Sequence, residues 1–133
     1  MPSACDDTEV RLAYIMVVDG DAATRTVVRT LLEDAGHEVA EASEGWAALS
    51  KIGMRLPDLV ITELYMDGME GIEFLRRVHE VWPKEPVLVM SSRARRGAPA
   101  ILDLVRHLGA AGLLEKPVVE DQLIAAVEQI LIA

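Results

Sequence analysis

Five short apolar runs, each followed by a turn and a longer stretch of helical periodicity, constrain this chain more than any other feature. The runs are Tyr14 to Val18, Glu38 to Ala42, Leu59 to Ile61, Val87 to Met90 and Gly112 to Leu114. Short strands alternating with helix-length segments predict an α/β fold, a parallel sheet covered by helices. The first, third and fourth runs are almost continuously apolar, as expected of parallel strands buried on both faces. The second is more polar and is expected at an edge. Between the runs, apolar residues recur at helical spacing: Val28, Leu31, Leu32 and Ala35; then Ile101, Leu104, Val105 and Leu108; then Leu123, Ala126, Val127 and Ile130. Asp21 and Ser43 are the expected N-caps and Gly36, Gly53 and Gly109 the expected helix stops, while Pro57, Pro83 and Pro86 fall between elements.

A length of 133 residues suits one domain over 1–133, with residues 1–11 as a loose N-terminal segment. With 51% hydrophobic residues the chain has enough apolar surface for its own core. The formal charge of -9 argues against direct nucleic-acid binding, which depends on Lys and Arg neutralising phosphates. No apolar run reaches the length of a bilayer span and the first residues lack the pattern of a signal peptide, so a cytoplasmic protein with no membrane contact is expected. Cys5, the single cysteine, is read as a free thiol in an acidic terminal stretch.

Ligands of open parallel sheets bind beyond the carboxyl ends of the strands. There the sequence places Asp19, Gly20 and Asp21 after the first run, Glu63 after the third, Ser91 and Ser92 after the fourth, and Lys116 and Pro117 after the fifth. An acid pair, a hydroxyl and a lysine on one rim are the parts of a metal-assisted phosphoryl site or of its relic.

The blocks "YIMVVDGD", "LLEDAGHEVAEASEGWAAL", "PDLVITELYMDGMEGIEFL", "PVLVMSS" and "LGAAGLLEKPV" together resemble the receiver domain of bacterial two-component response regulators. The resemblance covers nearly the whole chain. It implies a flavodoxin-like, doubly wound, five-stranded parallel sheet of order 2-1-3-4-5 with five helices. It also implies phosphorelay signalling, in which an aspartate at the end of the third strand accepts a phosphoryl group and two acids after the first strand hold Mg²⁺. By that resemblance Asp19 matches the first acid, Ser91 the hydroxyl that binds the phosphoryl oxygen and Lys116 the lysine that pairs with it. Gly20 stands where the second acid is expected, Glu63 where the acceptor aspartate is expected, Leu113 at the aromatic switch position, and Asp67 where a proline is expected.

These departures bear on chemistry. Mg²⁺ demands near-octahedral oxygen geometry at about 2.0–2.1 Å, so losing a carboxylate at Gly20 weakens a metal site. Asp21 is read as a helix cap. Glu63 carries its carboxylate about one C–C bond, roughly 1.5 Å, further out than aspartate, and misplacement on that scale can cost about a hundredfold in transfer. Three readings of Glu63 stay open: a permanent mimic of the phosphorylated state, a static ion pair with Lys116, or residual phosphoryl chemistry. The expected function is a pseudo-receiver, a phosphorylation-independent protein-binding module with no catalytic residue and no cofactor. Its expected partners are a histidine kinase, another receiver or an output domain, and a homodimer through the face of the fourth helix, fifth strand and fifth helix is implied. One alternative is a working phosphoacceptor with an altered metal site, in which Asp19 and Glu63 would hold Mg²⁺. The other is an anion or nucleotide sensor using Arg93, Arg95 and Arg96 of the loop "SSRARRGAP", which otherwise reads as a solvated charged loop. Trp82 is expected to pack at the end of the third helix. Trp46 is expected to be partly buried and is the better candidate for a partner contact. His37, His79 and His107 lack metal spacing and are assigned no chemistry.

Overall fold

A computed structural model describes residues 12–66, 69–91 and 98–132, with no side-chain detail for 98–102. The expectations for the 1–11 segment, Cys5, Asp67 and Arg93, Arg95 and Arg96 fall outside the described residues. Among these residues the order is β1 (Tyr14–Val18), α1 (Ala22–Asp34), β2 (Glu38–Ala42), α2 (Gly45–Met54), β3 (Leu59–Glu63), α3 (Gly71–Val81), β4 (Val87–Ser91), α4 (Ala98–His107), β5 (Gly112–Glu115) and α5 (Glu120–Ile132). The strands form one parallel sheet of order 2-1-3-4-5, with β2 at one edge and β5 at the other. This is the doubly wound α/β fold that the sequence implied.

The two-residue period of a strand sends alternate side chains to opposite faces. Met16, Val18, Val60, Val87 and Val89 pack with Ile52, Phe74, Leu75, Val78 and Val105, so α2, α3 and α4 cover one face. Ile15, Val17, Leu59, Ile61, Leu88 and Met90 pack with Val28, Leu32, Leu123, Val127 and Leu131, so α1 and α5 cover the other. Leu104 was expected on the buried stripe of α4 but is 41% exposed. That helix reaches the core through Val105, with Leu108 packed beside it just past its end.

Helix ends follow local hydrogen bonding. In α1 the amide of Gly36 bonds Glu33 O at 2.9 Å and that of His37 bonds Leu32 O at 3.0 Å, the paired closure that requires a left-handed residue, supplied by Gly36 at φ 99°. The same pair closes α4, from Gly109 to Arg106 O and Ala110 to Val105 O. Two expectations need correction. Ser43 does not cap α2; Glu44 does, because its two carboxylate oxygens reach the amides of Trp46 (2.8 Å) and Ala47 (3.0 Å) together. Gly53 does not stop α2, since it is helical and the chain turns extended only at Arg55. Asp21 caps α1 as expected, accepting from Ala23 N and from the Thr24 hydroxyl at 2.7 Å.

Candidate functional site

The rim at the carboxyl ends of the strands is built by register. β3 runs two residues beyond its apolar stretch and β4 one, so Glu63 and Ser91 are the last residues of their strands rather than loop residues after them. The parallel ladder continues because it is made by backbone: Glu63 pairs with Met90 and Ser91 with Glu115. The amide of Lys116 then donates to Ser91 O at 3.1 Å, and that of Asp19 to Ala42 O at 3.1 Å. Register therefore brings Asp19, Glu63, Ser91 and Lys116 to one end of the sheet, where Asp19, Glu63 and Ser91 are buried and Lys116 is half-buried.

Gly71 fixes how tightly the rim closes. A Cβ there would lie 2.4 Å from Glu63 O and 2.7 Å from Leu64 Cα, so only glycine lets the start of α3 press on the end of β3. Its amide donates to Leu64 O at 2.8 Å across that contact. The effect of Gly71 is close approach of the two elements.

The charges meet at Lys116. Its Nζ pairs with Glu63 Oε1 and lies 2.8 Å from Asp19 Oδ2, which has no other hydrogen-bond partner among the described residues. Burial alone would pull the lysine pKa down; hydrogen bonds with Asp19 and Glu63 outweigh it and hold the ammonium above its usual value. The second oxygens are also engaged: Asp19 Oδ1 accepts from the amide of Asp21 at 2.8 Å, and Glu63 Oε2 from that of Tyr65 at 3.1 Å. Arg25 locks the turn by donating from Nη1 to Asp19 O at 2.6 Å. The sequence gives no signal for that contact.

Gly20 is exposed, and a Cβ added there would meet nothing closer than Ser43 O at 3.8 Å, so the missing acid is not a steric necessity. Asp21 does not replace it, because its carboxylate is turned to the start of α1, where the Thr24 hydroxyl above all holds its pKa below the usual value. With no carboxylate at Gly20 and Asp21 turned away, the rim offers two carboxylates, Asp19 and Glu63, and both face the Lys116 ammonium.

Leu113 is half-buried on β5 and packs against the α2, α3 and α4 layer. Trp46 was expected to be partly buried but is 55% exposed, its ring covered on one side by the Arg77 guanidinium at 4.6 Å. The first turn of α2 holds it outside the core stripe. Trp82 follows the last turn of α3 and packs on the core as expected. Of the histidines, His37 is buried and its Nδ1 accepts from Ala13 N at 3.1 Å. Both nitrogens of His79 face carbonyls, Glu85 O at 2.8 Å and Leu108 O at 3.3 Å. One titratable residue escaped sequence reading altogether. Glu85, in the loop before β4, is 6% exposed with an unpartnered Oε2, and burial, aided by the charge of Asp58, pushes its carboxyl up to about 7.

An open parallel sheet with a buried acid at the end of β1, another at the end of β3, a hydroxyl at the end of β4 and a lysine after β5 defines the receiver class of α/β domains. The chain belongs to the response regulator receiver domain family, whose model matches residues 15–128. It is 38% identical over 103 residues to a protein-glutamate methylesterase/protein-glutamine glutaminase of Natronomonas pharaonis, covering 77% of this chain and 28% of that protein. It is 32% identical over 115 residues to the transcriptional regulatory protein FixJ of Bradyrhizobium diazoefficiens, covering 86% of this chain and 55% of that protein. The chain thus spans less than a third of the methylesterases it matches and about half of that regulator. Among solved structures, a putative response regulator from Chloroflexus aurantiacus superposes with a TM-score of 0.85 at 26% identity, covering 92% of this chain and all of that one. A receiver domain from Clostridium thermocellum superposes at 0.83 with 28% identity, covering 90% and 94%. Two-component signalling is the setting these likenesses establish. No described helix is long and apolar enough to cross a membrane.

Proposed function

We propose that this receiver domain is a pseudo-receiver: it signals by binding protein partners, without accepting a phosphoryl group and without a resident Mg²⁺. The observation that carries the reading is the sharing of Lys116 between Asp19 and Glu63. The lysine expected to pair with an incoming phosphoryl group is already neutralised, and Glu63 spends one oxygen on it and the other on Tyr65 N. A carboxylate carries one negative charge against nearly two on a phosphate, so the pairing is a partial substitute for phosphorylation. Gly20 supports the same reading by withholding a metal ligand from the turn after β1.

The partners this reading implies are a histidine kinase, a second receiver or an output domain, met in the cytoplasm. The face of α4, β5 and α5 is the docking surface, with homodimerisation as one use of it. Leu113 replaces the aromatic expected there, so that face is not re-set by phosphorylation.

The test is intact mass spectrometry after incubation with acetyl phosphate and Mg²⁺. The expected result is no acid-labile or hydroxylamine-labile gain of one phosphoryl group beyond a trace, either for the natural chain or for Glu63→Asp or Gly20→Asp alone. The double variant recovers labelling, because the nucleophile and the metal ligand act as one unit. The space around Gly20 accepts the new side chain. Robust labelling of the natural chain at Glu63 overturns the proposal in favour of a working acceptor.

A further inference from the structure

A cleft of about 610 Å³ opens beside the edge strand β5, at the end of the sheet away from the rim, where β4 and β5 begin. Its apolar floor is Leu88, Ala126 and Ile130 on the α1 and α5 side of the sheet, Leu113 of the edge strand also borders it, and its charged lining residues are Lys84 and Arg106. Among the described residues no carboxylate lines it, in a chain with 22 Asp and Glu against 13 Lys and Arg. Arg25, Arg29, Arg55, Arg77 and Lys116 are each paired with a carboxylate. Lys84 and Arg106 are both exposed and form no ion pair among the described residues.

We propose that this cleft binds an amphipathic organic anion, with its apolar body on Leu88, Ala126 and Ile130 and its acidic head held by Lys84 and Arg106. The volume lies within the range of about 300–1,000 Å³ typical of small-molecule sites, which combine an apolar lining with a few polar groups that fix orientation. A small inorganic anion would satisfy the cations and leave the floor wet. A neutral apolar compound would cover the floor and leave the cations unanswered. Guanidinium and ammonium groups both suit carboxylate, sulfonate or phosphate heads, the guanidinium through two parallel hydrogen bonds. A polyanionic nucleic acid is disfavoured by the formal charge of -9 around the two cations. This site is separate from the rim and does not rest on the reading of Glu63.

The experiment is a fluorescence titration of the full chain with 8-anilinonaphthalene-1-sulfonate, followed by competition with decanoate and with decanol. Amide shifts by NMR locate the bound probe. The proposal expects saturable binding at one site, shifts centred on Leu88, Leu113 and Ala126, and displacement by decanoate but not by decanol. The exposed double variant Lys84→Glu, Arg106→Glu weakens binding about tenfold or more, and Ala126→Trp fills the floor and weakens it independently. Thermal melts of both variants establish that they are folded. Absence of binding, shifts centred elsewhere, equal competition by decanol, or unchanged affinity in the folded charge-reversed variant would each overturn the proposal.

Discussion

Replacing Glu85 with glutamine should make the protein gain stability relative to the natural chain as pH rises from 4 to 8. The Glu85 carboxyl is almost wholly covered and has an unpartnered oxygen, and its pKa rises from 4.5 to about 7, first through burial and then through the nearby charge of Asp58. Below pH 4.5 it is protonated in both folded and unfolded chains and contributes no penalty. As pH rises the unfolded chain releases its proton first, so folding stability falls between about 4.5 and 7 and then levels. At about 1.4 kcal/mol for each tenfold, that gap corresponds to an upper limit of about 3 kcal/mol, and water reaching the loop lowers the realised value to roughly 1–3 kcal/mol. Glutamine keeps the shape and removes the titration. Its NH₂ group sets a buried donor in place of an oxygen, a cost of about 1 kcal/mol that does not vary with pH. The decisive quantity is therefore the difference between the two chains as a function of pH, measured by urea denaturation at pH 4, 5, 6, 7 and 8. A difference that stays flat across this series, or a natural chain that gains on the variant as pH rises, would refute the argument.

The rim gives a second expectation, an ordering. Lys116→Met strands two buried carboxylates and should cost about 3–5 kcal/mol, whereas Glu63→Gln leaves the ammonium with Asp19 and should cost under about 2 kcal/mol; equal losses in urea denaturation would show that Lys116 is not shared. His37 gives the opposite pH sign to Glu85. Burial holds its pKa below 6.5, so its contribution is complete above 6.5 and lost as pH falls below it, and His37→Leu should remove that slope while lowering stability at pH 8 by about 1–3 kcal/mol through the orphaned Ala13 amide. A ¹⁵N imidazole spectrum should show Nδ1 of His37 unprotonated at pH 8, and a protonated Nδ1 there would contradict the hydrogen bond on which that expectation stands.

What could be read from the sequence was what depends on periodicity. The starts of all five strands, the edge position of β2 and the sides taken by Val28, Leu32, Leu123 and Val127 follow from apolar spacing. The ends of β3, β4 and β5 do not, because Thr62, Glu63, Ser91 and Glu115 are polar side chains held in the ladder by their backbones. The meeting of Glu63 with Lys116 was legible because fold and opposite charge pointed the same way. The cap at Glu44 was not, since Ser43 has the stronger propensity and only the geometry of the turn selects its neighbour. Glu85 left no trace at all. A glutamate between Lys84 and Pro86 reads as a solvated loop residue, and its burial comes from packing of the loop against the sheet and α3, through its own carbonyl bonded to His79.

Charge counting at the rim links these observations to the proposed function. Asp19, Glu63 and Lys116 together carry two negative charges and one positive. A phosphoryl group entering the same space would add nearly two more negative charges. Like charges about 4 Å apart repel by about 4 kcal/mol at an effective dielectric of 20, so the added group needs a compensating cation of high charge. Mg²⁺ supplies that charge when carboxylates and waters can complete its shell, but here Gly20 offers no ligand and Asp21 is committed to the start of α1. Restoring aspartate at Glu63 alone therefore corrects the reach of the nucleophile without correcting the charge, and restoring an acid at Gly20 alone adds a ligand while the nucleophile stays too long. The rim as it stands keeps a net charge of -1 with its one lysine already shared between two carboxylates, which is why the two repairs are expected to succeed only together.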